Sequence, residues 1–112
     1  GTNGGNDADD LNAVLDALGP NRMVVILNLY GPFSRIDTDN ATLAQVVAGR
    51  PNVIVADWNS AANADHSVLQ PDGIHPSLPG SHVYAKVVRQ AFATLSERHT
   101  GKKVALKALP MP

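Results

Sequence analysis

Cysteine is absent from the 112 residues, which excludes disulfide staples, thiol nucleophiles and cysteine-ligated zinc. Compartment stays open, because a secreted protein can do without bridges. Aromatic residues make up only 4%, too few for a platform on which single-stranded nucleic acid stacks. No excess of charge exists either. Nine Lys and Arg against ten Asp and Glu give a net charge of −1, so the basic face that releases counterions from phosphates is missing and nucleic acid is excluded as a partner. No apolar run approaches the roughly 20 residues of a membrane span. What is present is a chain 44% hydrophobic and 17% charged, too apolar for disorder and long enough for about one small domain.

The apolar residues fall into an alternating pattern of elements. Asn6 or Asp7 can cap a first helix in which Leu11, Val14, Leu15 and Leu18 share one face, and Gly19-Pro20 ends it. Met23-Val24-Val25-Ile26-Leu27 is an unbroken apolar run, the pattern of a strand covered on both faces as in a parallel sheet. After the loop Tyr30–Ser34, Asp39 or Asn40 can start a second helix carrying Leu43, Val46 and Val47. Val53-Ile54-Val55-Ala56 reads as a second buried strand with Asp57 at its carboxyl end. From Asn59 to Pro79 the composition is that of a loop. A last helix runs from about Pro79 to Arg98 with Val83, Val87, Ala91 and Leu95 in a stripe, and residues 99–112 are expected to form a loose, flexible basic tail with three lysines. This order predicts an α/β layered fold. Two strands would leave two open edges beneath three helices, and Gly1-Thr2-Asn3-Gly4 is a turn-like sequence of the kind that follows a strand. At least one central strand is therefore expected from a segment outside these residues.

Two short segments carry chemistry. In Asp72-Gly73-Ile74-His75-Pro76 a carboxylate three residues before an imidazole, with glycine between them, can hold one ring nitrogen and favour the imidazolium formed when the other takes a proton. The plainer reading is a polar loop in which Asp72 caps local N–H groups and His75 stands exposed. The position after the last strand and before the last helix is where open α/β sheets place their sites. In Gly1-Thr2-Asn3-Gly4 the Asn3 amide is a suitable oxyanion donor and the glycines admit close approach of a substrate, although Asn and Gly are also ordinary turn residues. Trp58 either lines an acyl or sugar pocket or is a core aromatic at a strand end. His66, His75 and His82 with Asp57, Asp65 and Asp72 lack compact metal-ligand spacing, so neither a metal nor another cofactor is expected. Arg35 either meets an anionic acceptor or is a solvated surface residue.

Taken in order, Gly-Thr-Asn-Gly, helix, apolar strand, helix, Val-Ile-Val-Ala-Asp-Trp and Asp-Gly-Ile-His before a last helix resemble the SGNH hydrolase superfamily. More narrowly the chain is similar to the extracytoplasmic SGNH domain fused to membrane acyltransferase-3 proteins, a group that includes peptidoglycan O-acetyltransferases. The resemblance covers residues 1 to about 98 and rests on the Asp-x-x-His and Gly-x-Asn blocks, with Asp57-Trp58 supporting the narrower group. It implies a three-layer α/β/α, flavodoxin-like parallel sheet that is incomplete in this chain, residues 1–98 being the carboxy-terminal portion of the domain. It implies Asp72 and His75 as two triad members, Asn3 as an oxyanion-hole donor, and Gly1, Gly4 and Trp58 at the substrate. Gly4 stands where the family motif often has Asp.

One departure bears on mechanism. The family nucleophile is a serine in a Gly-Asp-Ser block upstream of the Gly-x-Asn turn, and Ser34, Ser60, Ser67, Ser77, Ser81 and Ser96 all lack that context. The resemblance thus implies serine-dependent transfer of an acyl group from an ester or thioester donor to a cell-envelope glycan or glycolipid hydroxyl, outside the cytoplasmic membrane. The serine would come from an amino-terminal segment of the same domain, and this chain alone would be inactive. An SGNH esterase or lipase releasing the acyl group to water, and a non-catalytic half-domain that binds glycan or a partner chain, are the alternatives.

Overall fold

The structure is a computed structural model and describes residues 2–110. Helix α1 (Ala8–Leu18) leads to strand β1 (Val24–Leu27), helix α2 (Ile36–Ala48) and strand β2 (Val53–Ala56). A short helix α3 (Trp58–Ala64) and a 3₁₀ turn (His66–Val68) precede the long helix α4 (Leu78–Thr100). The two strands pair in parallel, Val24 opposite Val53 and Leu27 opposite Ala56, so both carboxyl ends emerge on the same side. Period-two alternation sorts their side chains. Val24, Ile26, Val53 and Val55 pack with Leu15 of α1 and Leu43 and Val47 of α2. Val25, Leu27, Ile54 and Ala56 pack with Ala91 and Leu95 of α4. The continuous apolar runs are thereby explained, since both faces of the pair are covered.

The expected α/β order holds as a two-stranded parallel sheet with four helices, and two local expectations are corrected. Helix α2 begins at Ile36 and not at Asp39 or Asn40. Both of those residues are committed elsewhere, Asp39 to Arg35 and Asn40 to the main chain of Leu29, whose N–H it accepts at 2.8 Å and whose carbonyl it binds at 2.9 Å. The stretch from Asn59 is not all loop. Asp57 accepts from the Ser60 N–H at 3.0 Å and caps α3, whose alanines favour helix. The apolar face of α1 is only partly buried. Leu15 is 3% exposed, but Val14 is 60% and Leu18 36% exposed, because they reach past β1 where no further strand lies among the described residues.

Helix α4 is seated by one close approach. Ser77 caps it, accepting from the Gly80 N–H at 3.1 Å, and donates its own N–H to the Val68 carbonyl at 2.8 Å. A Cβ at Gly80 would lie 1.7 Å from that carbonyl oxygen. Beyond Thr100 the chain lies along α4, with the Val104 N–H donating to Glu97 Oε1 and Arg89 donating to the Lys107 carbonyl. Among the described residues no helix is long and apolar enough to cross a membrane. Gly80→Ala is expected to destabilise the chain by about 3 kcal/mol in urea unfolding, the overpacking range, because backbone and not a flexible side chain stands in the way.

Candidate active site

The Asp72–His75 loop is a tight reversal between Leu69 and Pro76, which form an isolated antiparallel bridge. The His75 carbonyl accepts from the Gln70 N–H at 2.8 Å and the Gln70 carbonyl from the Gly73 N–H at 3.0 Å. Gly73 takes φ +70°, a left-handed conformation that glycine adopts without Cβ strain. Asp72 uses both oxygens. Oδ1 accepts the backbone N–H groups of Ile74 and His75 at 2.9 and 3.0 Å, and Oδ2 lies 2.6 Å from His75 Nδ1. The local-capping reading and the imidazole-orienting reading are therefore both true of one carboxylate. Its pKa is lowered to about 2, first by the hydrogen bond with His75 and then by the two backbone donors. Since a carboxylate only accepts, Nδ1 carries the proton of the neutral ring and Nε2 is the basic nitrogen.

His75 opens on a cleft of about 390 Å³ beyond the carboxyl ends of both strands. Ile74 and Pro76 line it beside His75, and Thr2 and Asn6 line it from the amino-terminal turn. The turn and the histidine loop, separated by about seventy positions in sequence, thus share one hollow. Asn3 and Gly4 are exposed on that turn and are not among the residues lining the cleft, while Gly1 lies outside the described residues. Trp58 is a core aromatic at a strand end that also borders the cleft. It is 4% exposed in a core cluster with Ala62 and Val68, and it also lines the cleft, its ring edge-on to Tyr84 at 5.1 Å.

Other candidates resolve differently. Ser34 is exposed and lines no part of the cleft, and among the described residues no serine does. Arg35 is half-buried and paired with Asp39 at 2.9 Å. His66 Nε2 sits 3.1 Å from the Tyr30 hydroxyl, and His82 is half-buried on α4.

Sequence reasoning missed the polar floor. Asn28, directly after β1, donates to Asp57 Oδ1 at 2.8 Å and accepts the Asn59 N–H at 2.8 Å. The Ser60 hydroxyl donates to Asp57 Oδ2 at 2.6 Å, and Asn59 donates to the Leu29 carbonyl at 2.7 Å. The Asp57 carboxyl is held below the ordinary range, mainly by the Ser60 hydroxyl and then by Asn28. This lattice locks the two strand ends together under the cleft that Asn28, Tyr30 and Tyr84 line. The available signal was positional, because Asn28 and Asp57 are the first polar residues after the two apolar runs.

No protein-family model matches the chain. It is similar to the peptidoglycan O-acetyltransferase OatA of Listeria monocytogenes, 32% identical over 88 residues. That alignment takes in 79% of this chain but 14% of the relative, so the chain spans about a seventh of the curated protein it matches.

The depressed carboxyl of Asp72 fixes a direction for pH. A group whose pKa drops on folding adds stability above its unfolded value near 3.8, and that contribution is lost as pH falls toward about 2. Carboxyl-carbon NMR is expected to show Asp72 titrating near 2, and Asp72→Asn to flatten the loss of stability between pH 4 and 2. A titration at the ordinary aspartate value would mean that the imidazole does not hold this carboxylate.

Proposed function

We propose that residues 1–98 form the carboxy-terminal part of an SGNH-type domain that transfers an acyl group, acetyl in the narrowest reading, to a hydroxyl of a cell-envelope glycan or glycolipid. The observation that carries the reading is the 2.6 Å contact between Asp72 and His75 Nδ1 in a cleft that also meets the Thr2–Asn6 turn. Similarity to a peptidoglycan O-acetyltransferase supports the acyl group and the glycan acceptor. Placement outside the cytoplasmic membrane, on a membrane-tethered parent, follows from the same resemblance.

The chemistry runs in two halves. A serine hydroxyl attacks the carbonyl carbon of an ester or thioester donor while His75 Nε2 takes its proton. Asp72, fixed by two backbone donors, stabilises the imidazolium without accepting the proton. In this reading the donor to the oxyanion of the tetrahedral intermediate is the Asn3 amide, on the turn whose Thr2 and Asn6 meet the cleft. Collapse breaks the bond to the donor's leaving oxygen or sulfur, which receives the proton from His75, and leaves an acyl-serine. An acceptor hydroxyl then attacks, gives its proton to His75, and forms the new ester as that proton returns to the serine oxygen. Tyr84, half-buried at the cleft and backed by Trp58, offers an apolar face suited to a sugar ring.

In this reading the serine comes from a further segment of the same domain, docked as a parallel strand on the edge of β1 that no described strand covers. That edge adjoins a groove of about 220 Å³ lined by Leu11, Val14 and Leu18 of α1 and by Val24 and Ile26 of β1. A parallel strand there would point its carboxyl end toward the side of the sheet on which the cleft lies. The relative is about seven times longer than the part matched, so chain enough for such a strand exists there.

Residues 1–112 alone are expected to turn over an activated acetyl ester negligibly. The polypeptide that includes the serine-bearing segment is expected to do so efficiently and to lose about 10⁶-fold in kcat on His75→Ala and about 10⁴-fold on Asp72→Ala. Added glycan should take up the acyl group. Release to water alone would make the domain an esterase, and unimpaired turnover by His75→Ala would contradict the reading. Absence of turnover with glycan binding intact would favour a non-catalytic module, the alternative that the lack of a cleft serine among the described residues supports.

A further inference from the structure

Arg35 and Asp39 take no part in the proton transfers, yet both face the turn that carries Asn3. Arg35 immediately precedes α2. Its Nη1 donates to Asp39 Oδ2 at 2.9 Å and its Nη2 donates to the Thr2 carbonyl. The guanidinium also lies over the Phe33 ring, 5.1 Å from its centroid. Asp39 is 8% exposed, the one charged residue that is buried among the described residues. Its backbone carbonyl accepts from Asn6 Nδ2 at 3.5 Å. Between these two attachments, a Cβ at Gly5 would lie 3.3 Å from Asp39 Oδ2, so the turn rests directly on the carboxylate. Both ends of the segment Thr2–Asn6 are therefore fastened to the first turn of α2, and Thr2 and Asn6 are the residues through which that segment meets the cleft.

We propose that the Arg35–Asp39 pair is a clamp that holds the Thr2–Asn6 turn, which carries Asn3, at the rim of the cleft that Thr2, Asn6 and His75 line. Both are positioning residues acting through Asn3, and the catalytic meaning of that placement rests on the acyl-transfer reading. The fork of the guanidinium matters. Arginine reaches the Asp39 carboxylate and the Thr2 carbonyl with separate N–H groups in one plane, whereas a lysine ammonium is a point charge that keeps the ion pair without spanning both. An amide displaced by about 1 Å from a developing oxyanion costs on the order of a hundredfold in rate.

The test has two arms. In the 112-residue chain, ¹H–¹⁵N heteronuclear NOE values at Asn3, Gly4 and Gly5 should fall in Arg35→Lys and in Asp39→Asn. Those of α1 and β1 should stay unchanged, and the Tm of Arg35→Lys should stay close to that of the parent. Unchanged NOE values at the turn in the folded Arg35→Lys variant would overturn the clamp. In the polypeptide that carries the serine, Arg35→Lys should lower kcat about a hundredfold with KM held. It should add little further loss on top of Asn3→Ala, because the two changes remove the same donor. Full additivity, or a loss confined to KM, would also overturn it. If His75→Ala leaves turnover intact the acyl-transfer reading fails instead, and the NOE arm still decides whether the clamp exists.

Discussion

The arrangement depends on a single carboxylate that is asked to do two jobs. Asp72 ties its own loop with one oxygen, through the Ile74 and His75 N–H groups, and grips the His75 ring with the other. The first job makes the second reliable, because the backbone bonds remove the freedom a three-residue separation would otherwise leave. The pair is exposed, with side chains 42% and 69% accessible, so burial contributes little to its orientation. Geometry comes instead from the turn, from Gly73 in the left-handed region, and from the anchoring of Ser77 on the Val68 carbonyl.

Everything beneath that loop serves to bring distant segments to one place. Parallel pairing sends both strand ends the same way, and the Asn28–Asp57–Ser60 lattice ties those ends together. Helix α4 can approach the 3₁₀ turn only because residue 80 has no side chain. The amino-terminal turn is drawn in from the opposite flank by Arg35 and Asn6. The half-covered β1 is the exception. Its residues are all only partly buried while β2 has three of four buried, an asymmetry that places the less covered side of the sheet next to α1.

Much of this could be read from residue order alone, for identifiable reasons. The strands were legible because a run such as Val53–Ala56 has no polar face to present, which only two-sided burial tolerates. The Asp-x-x-His loop was legible because its residue types are chemically distinctive and its position at a strand's carboxyl side is topologically special. Less legible were the features that depend on long-range pairing. Asp39 looks like a helix cap until Arg35 and the turn around Gly5 are seen to claim it, and Asn40 looks the same until Leu29 does. Helix α3 was hidden by its Asn and Ser content, though Asp57 followed by Ser60 was a capping signal in plain view. Val14 and Leu18 obeyed helical periodicity but not burial, since periodicity reports which face is apolar and not whether anything covers it.

The most direct measurement of the central claim is the tautomer of His75, read from a long-range ¹H–¹⁵N correlation spectrum at a pH where the ring is neutral. The geometry requires the proton on Nδ1, facing the Asp72 carboxylate, with Nε2 bare toward the cleft. A ring found in the Nε2–H form, or one exchanging between the two tautomers like a free imidazole, would contradict the account.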